Sequence, residues 1–355
     1  MKRYFTLGYA TVTALCFIVL MFACQKESSL IPTATSSQIS ENYLEFKDKD
    51  EFDKTVKDLA KKSRQELDDW DKTKNFVSLR GLFDRIVDEE NTTADKEDAL
   101  IKENPKLKST MKHQYSSLLN ECKQMISADN SGMDMKIFEL EYAKVLNKDG
   151  IVKIGSSLYQ FGADNYKIVT NADYSNVKKL STLTNDNQTD NLKYYPVRVS
   201  SQLIKNGRTN NEGYCWSNDG GQQGTNYGLE AWATGYYYYL LDTSTWTFNN
   251  TVEAGVRMKF CKNHWYGWTN YASSGYYVSG TYSFTISGLP VTPTSAGPTS
   301  YTTPQGFSGE SSQPSYSFIY RTWKGSAYPY GSSVTLGGTH NFVFFIGNCE
   351  CPINF

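Results

Sequence analysis

The sequence predicts an α+β protein in which a small helical N-terminal domain with a short terminal sheet precedes an antiparallel all-β sandwich. Two changes along the chain support this order. Apolar residues recur at helical spacing before about residue 146, whereas after residue 195 they alternate with polar residues, as in half-buried strands. Composition changes at the same place, since six of the seven tryptophans follow residue 194 and 30 of the 37 acidic residues precede it.

Helix caps mark out the first domain, residues 41–170. Asp48, Ser63 and Ser78 each precede an apolar helical pattern, and Glu66 lies where it would complete a capping box with Ser63. A turn at 147–150, in which glycine can adopt a positive φ, separates the helices from the sheet. Two further helices are expected at about 105–126 and 139–146, and strands at 151–154, 158–161 and 166–170.

The second domain, residues 195–355, follows an asparagine-rich stretch at 171–194 that we interpret as a linker. Alternation is clearest from Val252 to Phe260, and turn signals such as Asn206-Gly207 separate such runs. Many short strands without a helical pattern favour an antiparallel sandwich or barrel. The strands are expected at 229–241, 251–260, 282–286, 316–320 and 341–346.

The N-terminus has the composition of an export signal. Lys2 and Arg3 precede an apolar run that ends at Met21-Phe22-Ala23-Cys24. This stretch resembles the lipobox of bacterial lipoproteins, although leucine and a small residue usually occupy the first two of those positions. The resemblance implies that residues 1–23 are a signal peptide and that the Cys24 thiol receives the lipid. An uncleaved membrane anchor is the alternative.

Beyond Cys24, residues 24–40 are rich in serine and threonine and predict a flexible stalk. Gln25-Lys26-Glu27 resembles the surface-export signal of Bacteroidota lipoproteins, which implies a lipid-anchored position on the outer membrane at the cell surface. The periplasmic face is the alternative. The pattern from Tyr43-Leu44-Glu45-Phe46 through Trp70 to residues 146–155 resembles an uncharacterised Bacteroidota surface or periplasmic lipoprotein family, and this resemblance implies no activity.

The cysteines fit an oxidising compartment, where disulfides form. Cys349 and Cys351 would point to the same face of a strand and so should not pair with each other. Each is a candidate for a disulfide with Cys215 or Cys261, and the sequence leaves the connectivity open. Cys122 is expected to be a free, buried thiol.

Motifs for catalysis are absent from the sequence. There is no Gly-x-Ser-x-Gly, His-Glu-x-x-His or Walker-type pattern, and the glycine-rich stretch 217–224 predicts a mobile loop. A net charge of -1 argues against nucleic-acid binding.

We predict no catalytic residue, no cofactor and no metal. A zinc set would need the irregularly spaced Cys261, His264, His340, Cys349 and Cys351. Carboxylates for glycoside hydrolysis would have to come from Glu212, Asp219, Glu230, Asp242, Glu253, Glu310 and Glu350.

Aromatic residues give the leading functional prediction. We expect Trp265, Tyr266 and Trp268 to form a ligand platform on a loop, with Asn263 and Asn270 beside the rings as hydrogen-bonding groups. The alternative is that these rings close the end of the core. The predicted function is a non-catalytic, surface-exposed lipoprotein that binds a glycan or a protein partner. A structural or assembly component of an envelope complex and a carboxylate-based glycoside hydrolase are the alternatives.

Overall fold

The structure is a computed structural model of mixed α+β class. It describes residues 43–170, 177–199, 227–271 and the later strands named below. Side chains are described for 43–170, 177–197, 238–249 and 261–271. The predicted signal peptide, Cys24, the stalk and the 217–224 loop lie outside the described residues. The sandwich arrangement of the later strands stays a prediction.

Three capped helices begin the described chain and confirm the cap predictions. Asp48 accepts a hydrogen bond from the Glu51 amide at 2.9 Å, and Ser63 and Glu66 form the predicted capping box. The Ser78 hydroxyl accepts from the Gly81 amide at 3.0 Å. The helices are α1 (Lys49–Leu59), α2 (Arg64–Thr73) and α3 (Leu79–Glu103).

The region from residue 105 to residue 146 is less helical than predicted. Only α4 (Ser117–Cys122) is α-helical, with 3-10 turns at Pro105–Ser109 and Leu140–Lys144. A hairpin of β2 (Ile126–Asp129) and β3 (Gly132–Met135) begins at Ile126, where the predicted 105–126 helix was expected to end. Contacts of β3 with Asn270, described below, fix the hairpin, so packing determines the structure of this segment.

The first sheet has the order β1-β4-β5-β6-β7 and covers the core of the helices. β1 is parallel to β4, and the other neighbours are antiparallel. Leu180 and Leu183, from the segment predicted as a linker, are buried against this sheet. The strands are β1 (Glu45–Phe46), β4 (Ile151–Ile154), β5 (Ser157–Phe161), β6 (Asn165–Val169) and β7 (Leu192–Pro196), and the short helix α5 spans Val177–Leu180.

The later strands form antiparallel sheets. In one sheet the order is β11-β10-β9-β8, and β15 also pairs with β10; another has the order β14-β12-β17-β18, and β13 pairs with β16. The strands are β8 (Arg198–Val199), β9 (Tyr227–Asp242), β10 (Thr247–His264), β11 (Gly267–Asn270), β12 (Tyr276–Ser283), β13 (Thr285–Ser287), β14 (Ser300–Thr303), β15 (Ser315–Gly325), β16 (Thr335–Gly337), β17 (His340–Ile346) and β18 (Cys349–Asn354).

The hairpin of β9 and β10 shares its core with the helices. Tyr238 and Tyr239 are both buried in the cluster that contains the apolar faces of α1 and α3. The Tyr159 hydroxyl donates to the Leu241 carbonyl at 2.7 Å, and the Tyr166 hydroxyl accepts from the Leu241 amide at 3.2 Å. Tyrosines of the first sheet therefore fix the turn end of this hairpin.

The cysteine predictions are tested in part. Cys122 is buried and free, as predicted, and burial raises the pKa of its thiol to about 11. Cys261 is buried on β10. No disulfide is seen among the described residues, but Cys215 and the side chains of Cys349 and Cys351 lie outside them, so the proposed connectivity stays a prediction.

Within the described part of the chain, no helix combines the length and apolar character needed to cross a membrane.

Two glycines with positive φ allow a matched test of the fold. Gly150 (φ +74) ends the predicted turn, and a Cβ there would lie 2.7 Å from the Phe161 carbonyl oxygen. Gly155 (φ +60) has no atom nearer than the Lys47 carbonyl oxygen at 3.7 Å. We expect Gly150→Ala to lower the free energy of unfolding by about 2–4 kcal/mol and Gly155→Ala by about 1 kcal/mol, because only the first adds a clash to the backbone strain. Urea unfolding of both variants measures this, and equal losses would contradict it.

Candidate functional site

The predicted aromatic residues lie where the hairpin of β10 and β11 meets helix α3. Cross-strand pairs of Asn263 with Trp268 and of His264 with Gly267 leave Trp265 and Tyr266 as a two-residue turn. The expected loop is therefore a tight hairpin turn, and Trp268 lies in strand β11. The correction follows from Gly267, whose φ of +150 permits the return of the chain directly after the turn.

Acidic residues on α3 receive this turn. The Asp98 carboxylate accepts from the Trp265 amide at 3.0 Å and lies 2.7 Å from His264 Nδ1. The Glu97 carboxylate accepts from Trp265 Nε1 at 2.9 Å, and the Lys262 ammonium lies 2.6 Å from Asp95. Residues three apart on a helix share a face, so Asp95 and Asp98 reach the same side of the hairpin.

Strand β11 is fixed to the rest of the protein by Asn270, which is fully buried. Its side-chain oxygen accepts from the Met133 amide at 2.6 Å, and its side-chain nitrogen donates to the Met133 carbonyl at 2.9 Å. Asn91 on α3 donates to the Asn270 carbonyl at 2.7 Å and accepts from the Thr269 hydroxyl at 2.8 Å. The prediction that Asn270 bonds a ligand is therefore wrong, because both ends of its amide already bond the β3 backbone.

His113 lies between two carboxylates beneath the turn. Its Nε2 is 2.8 Å from Glu90 Oε2 and its Nδ1 is 2.9 Å from Glu97 Oε2, and its side chain is 5% exposed. A neutral imidazole has one N–H, so it can donate to only one carboxylate. The second contact requires one more proton, either as an imidazolium or on a carboxyl group. This shared proton offsets part of the negative charge that α3 places here.

Tyr266 stacks on His113, with ring centroids 3.6 Å apart and planes 9° apart. His264 lies on the same side of the turn in a parallel plane, with its centroid 6.2 Å from that of Tyr266. Burial, followed by the charge of Glu90, raises the pKa of the Tyr266 hydroxyl well above its usual range. Among the described residues, neither the Tyr266 hydroxyl nor His264 Nε2 has a hydrogen-bond partner, although both atoms are buried. The Tyr266 hydroxyl is thus buried in the site, although the residue as a whole is half-buried, as Trp265 and Trp268 are.

The aromatic surface is partly accessible. Trp265 and Trp268 are half-buried, so neither is removed from solvent, and Tyr115 is 36% exposed. Tyr115 packs edge-on against His113 at 4.8 Å, and Trp265 packs edge-on against Tyr266 at 5.6 Å. We call Trp265, Trp268 and Tyr115 the ring face. The sequence pattern did not single out Tyr115, which lies within the predicted 105–126 helix.

Asp95, Asp98 and His264 also offer the ligand types of a divalent-cation site, with ligand atoms that all lie within 4.8 Å of one another. This set shares only His264 with the cysteine-containing zinc set that the sequence allowed. Lys262 already pairs with Asp95 and His264 with Asp98, so protein groups satisfy these carboxylates. We therefore interpret Asp95, Asp98 and His264 as part of an ion-pair network that holds the turn.

Other sequence candidates are placed apart from this site or lie outside the described side chains. Asp242 accepts hydrogen bonds from Ser244 in the β9–β10 turn. The other six carboxylates considered for glycoside hydrolysis and the His340 side chain lie outside the described side chains. The residues that sequence reasoning missed are Glu90, Glu97, Asp95 and Asp98. Their spacing along one helical face was the available signal.

Comparisons with known proteins give one similarity. No family model and no curated protein matches the chain. Among solved structures, the chain is similar to the crystal structure of a DUF4848 family protein from Bacteroides thetaiotaomicron, with 11% sequence identity and a TM-score of 0.28. The match covers 89% of this chain and 98% of that chain. A TM-score this low carries no argument about fold or function.

Gly267 tests how the turn is held. The Trp268 amide donates to the Asn130 carbonyl at 2.9 Å, and a Cβ on Gly267 would lie 2.6 Å from that same oxygen. We expect Gly267→Ala to lower the free energy of unfolding by about 2–4 kcal/mol, because the clash is with backbone atoms. Hydrogen exchange should become faster in residues 262–270 and remain unchanged in β5. Unchanged exchange at the Trp268 amide would contradict the close contact.

Proposed function

We propose that the protein is a non-catalytic lipoprotein of the cell envelope that is anchored through Cys24 and binds a glycan or a protein partner at the cell surface. The proposal includes an antiparallel sandwich for the strands from β8 onward. Support for export and lipidation comes from the lipobox-like Met21-Phe22-Ala23-Cys24, and support for surface display comes from Gln25-Lys26-Glu27.

The ring face is the observation that carries the binding proposal. Trp265 is held in one orientation by a hydrogen bond from its ring nitrogen to Glu97 and another from its amide to Asp98. An aromatic side chain that is already ordered loses little conformational entropy when a ligand binds. Tyr115 adds a second accessible ring, which is linked to Trp265 through the stacked rings of His113 and Tyr266. Fixed and partly exposed aromatic rings suit a sugar face or an apolar anchor of a protein.

A positioning role for the nearby carboxylates supports binding over catalysis. Glu90 and Glu97 contact His113, and Asp98 contacts both His264 and Trp265. A glycosidase needs two carboxyl groups about 5–10 Å apart that both face the sugar bond. The contacts of Glu90, Glu97 and Asp98 are instead directed to protein groups, which favours their use in holding the turn.

A structural or assembly role is the second candidate, and the half-burial of Trp265 and Trp268 favours it. In that case the rings would serve to close the hairpin against α3, and a partner would bind elsewhere. The two candidates differ in one measurable respect. Removal of an accessible ring should weaken binding without loss of stability if the ring face is a ligand surface.

Tyr115→Ala tests the ring face, with Leu100→Ala as its control. Leu100 is 49% exposed and lies on α3, the helix that holds the turn. We expect Tyr115→Ala to weaken binding about threefold to tenfold, since one aromatic contact contributes about 0.5–1.5 kcal/mol. Leu100→Ala should leave binding unchanged. The measurement is a titration of the mature chain with the best ligand from a panel of glycans and envelope proteins.

Two outcomes would contradict the ring face as the ligand surface. One is a ligand whose affinity is equal for wild type and Tyr115→Ala. The other is a clear fall in the melting temperature of Tyr115→Ala, which would indicate that the ring acts in folding. A chain that binds no member of the panel would favour the structural role.

Lipidation is tested with Cys24→Ser, and Cys16→Ser is the matched control within the predicted signal peptide. Cys24→Ser removes the thiol that accepts the lipid, so the protein should leave the membrane fraction and lose its fatty-acid label. Cys16→Ser should retain both. Fatty-acid labelling of Cys24→Ser equal to that of wild type would exclude this anchor.

A further inference from the structure

The turn between β9 and β10, residues 243–246, displays an aromatic side chain that the ring face does not include. Trp246 is 57% exposed, the largest exposed fraction among the large apolar side chains that the structure describes. Its backbone has a φ of +53, in the left-handed region that favours glycine and asparagine. For a bulky side chain this conformation is an outlier, because the Cβ approaches the following carbonyl oxygen.

The base of this turn is rigid. The Asp242 carboxylate accepts from the Ser244 amide at 2.9 Å and from the Ser244 hydroxyl at 2.6 Å. The hydroxyl groups of Thr245 and Thr247 lie 2.7 Å apart. Below them, Leu241 is buried and bonded to Tyr159. The strained conformation therefore belongs to a well-anchored turn, and the indole is held away from the core.

A strained backbone conformation persists only where the surrounding structure holds it, and such conformations cluster at functional sites. Asparagine or glycine would satisfy the backbone at position 246 without exposing an apolar ring to water. The combination of strain and exposure points to a function for the indole outside the folded core. We propose that Trp246 is a stacking site for one pyranose ring of a neutral glycan.

The size of the surface favours a sugar over a protein or a bilayer. A tryptophan offers about 150–250 Å², whereas a stable protein interface takes about 800 Å² from each partner. The other exposed large apolar side chains of the described residues are Leu100 and Tyr115, and neither belongs to this turn. Residues 242–249 contain no lysine or arginine, and the strand register places one basic residue, Lys324 of β15, opposite Asn249. One lysine is not the basic cluster that attracts anionic lipids.

The polar groups of the turn match the same ligand class. Ser244, Thr245 and Thr247 place hydroxyl groups next to the indole in sequence, and such groups can exchange hydrogen bonds with sugar hydroxyls. The one charged residue here, Asp242, is negative and disfavours acidic sugars. This site goes beyond the ring face, since Trp246 immediately precedes β10 and Trp265 immediately follows it.

The experiment measures binding of the full chain, solubilised in detergent, to a panel of neutral oligosaccharides. Acidic oligosaccharides and vesicles of neutral or anionic phospholipid are tested in parallel. We expect wild type to bind a neutral oligosaccharide, Trp246→Asn to bind it about threefold to tenfold more weakly, and Trp246→Tyr to retain most of the affinity. The melting temperature of Trp246→Asn should equal or exceed that of wild type, because asparagine tolerates the left-handed backbone.

Tyr115→Ala separates this site from the ring face. If Tyr115→Ala binds the glycan as tightly as wild type and Trp246→Asn binds it more weakly, the Trp246 site is supported independently of the ring face. The proposal is overturned if no neutral oligosaccharide binds, if Trp246→Asn binds as wild type does, or if wild type binds only vesicles or acidic glycans. A clear fall in the melting temperature of Trp246→Asn would also overturn it, because the indole would then be part of the fold.

Discussion

The contact between the acidic face of α3 and the hairpin of β10 and β11, together with the core that Tyr238 and Tyr239 share with the helices, holds the two halves of the chain together. The contact of Lys262 with Asp95 closes a loop of 167 residues. Closing a loop of this length costs about 4–5 kcal/mol in chain entropy, so the whole contact must be stronger than one surface ion pair. The pair of Lys262 with Asp95, which is half exposed, contributes at most about 1 kcal/mol. Buried groups carry the rest: Asn270 bonds the β3 backbone at both ends of its amide, and His264 is enclosed beside Asp98.

Charge balance explains why so many carboxylates can gather at this contact. Glu90 and Glu97 are largely buried, and burial of an isolated carboxylate is unfavourable. His113 between them forms a hydrogen bond with each, and the extra proton that this geometry requires, on the imidazole or on a carboxyl group, lowers the net negative charge. Tyr266 then covers the imidazole with its ring. The turn is thus held by linked contacts: His113 offsets the unfavourable burial of Glu90 and Glu97, and Tyr266 stacks on His113.

Local signals in the sequence predict local structure well in this chain and contacts poorly. Asp48, Ser63 and Ser78 cap the helices as predicted, because a cap depends on residues within one turn. The β2–β3 hairpin was missed because its position is set by Asn270, 137 residues after Met133. The same limit applies to the site. Trp265 was predicted from the aromatic-rich stretch in which it lies. Tyr115 and the carboxylates of α3 are distant in sequence and come near Trp265 only in the folded protein.

Two tryptophans in the turns at opposite ends of β10 show how environment separates structure from recognition. Trp265 has its ring nitrogen bonded to Glu97 and its amide to Asp98, so its orientation serves the hairpin as well as any ligand. Trp246 has neither a buried ring nor a relaxed backbone. A residue that stabilises the fold is expected to gain from its contacts, and Trp246 incurs strain and exposure instead. The physical case for recognition is therefore stronger at Trp246 than at Trp265, although the sequence pattern alone favoured Trp265.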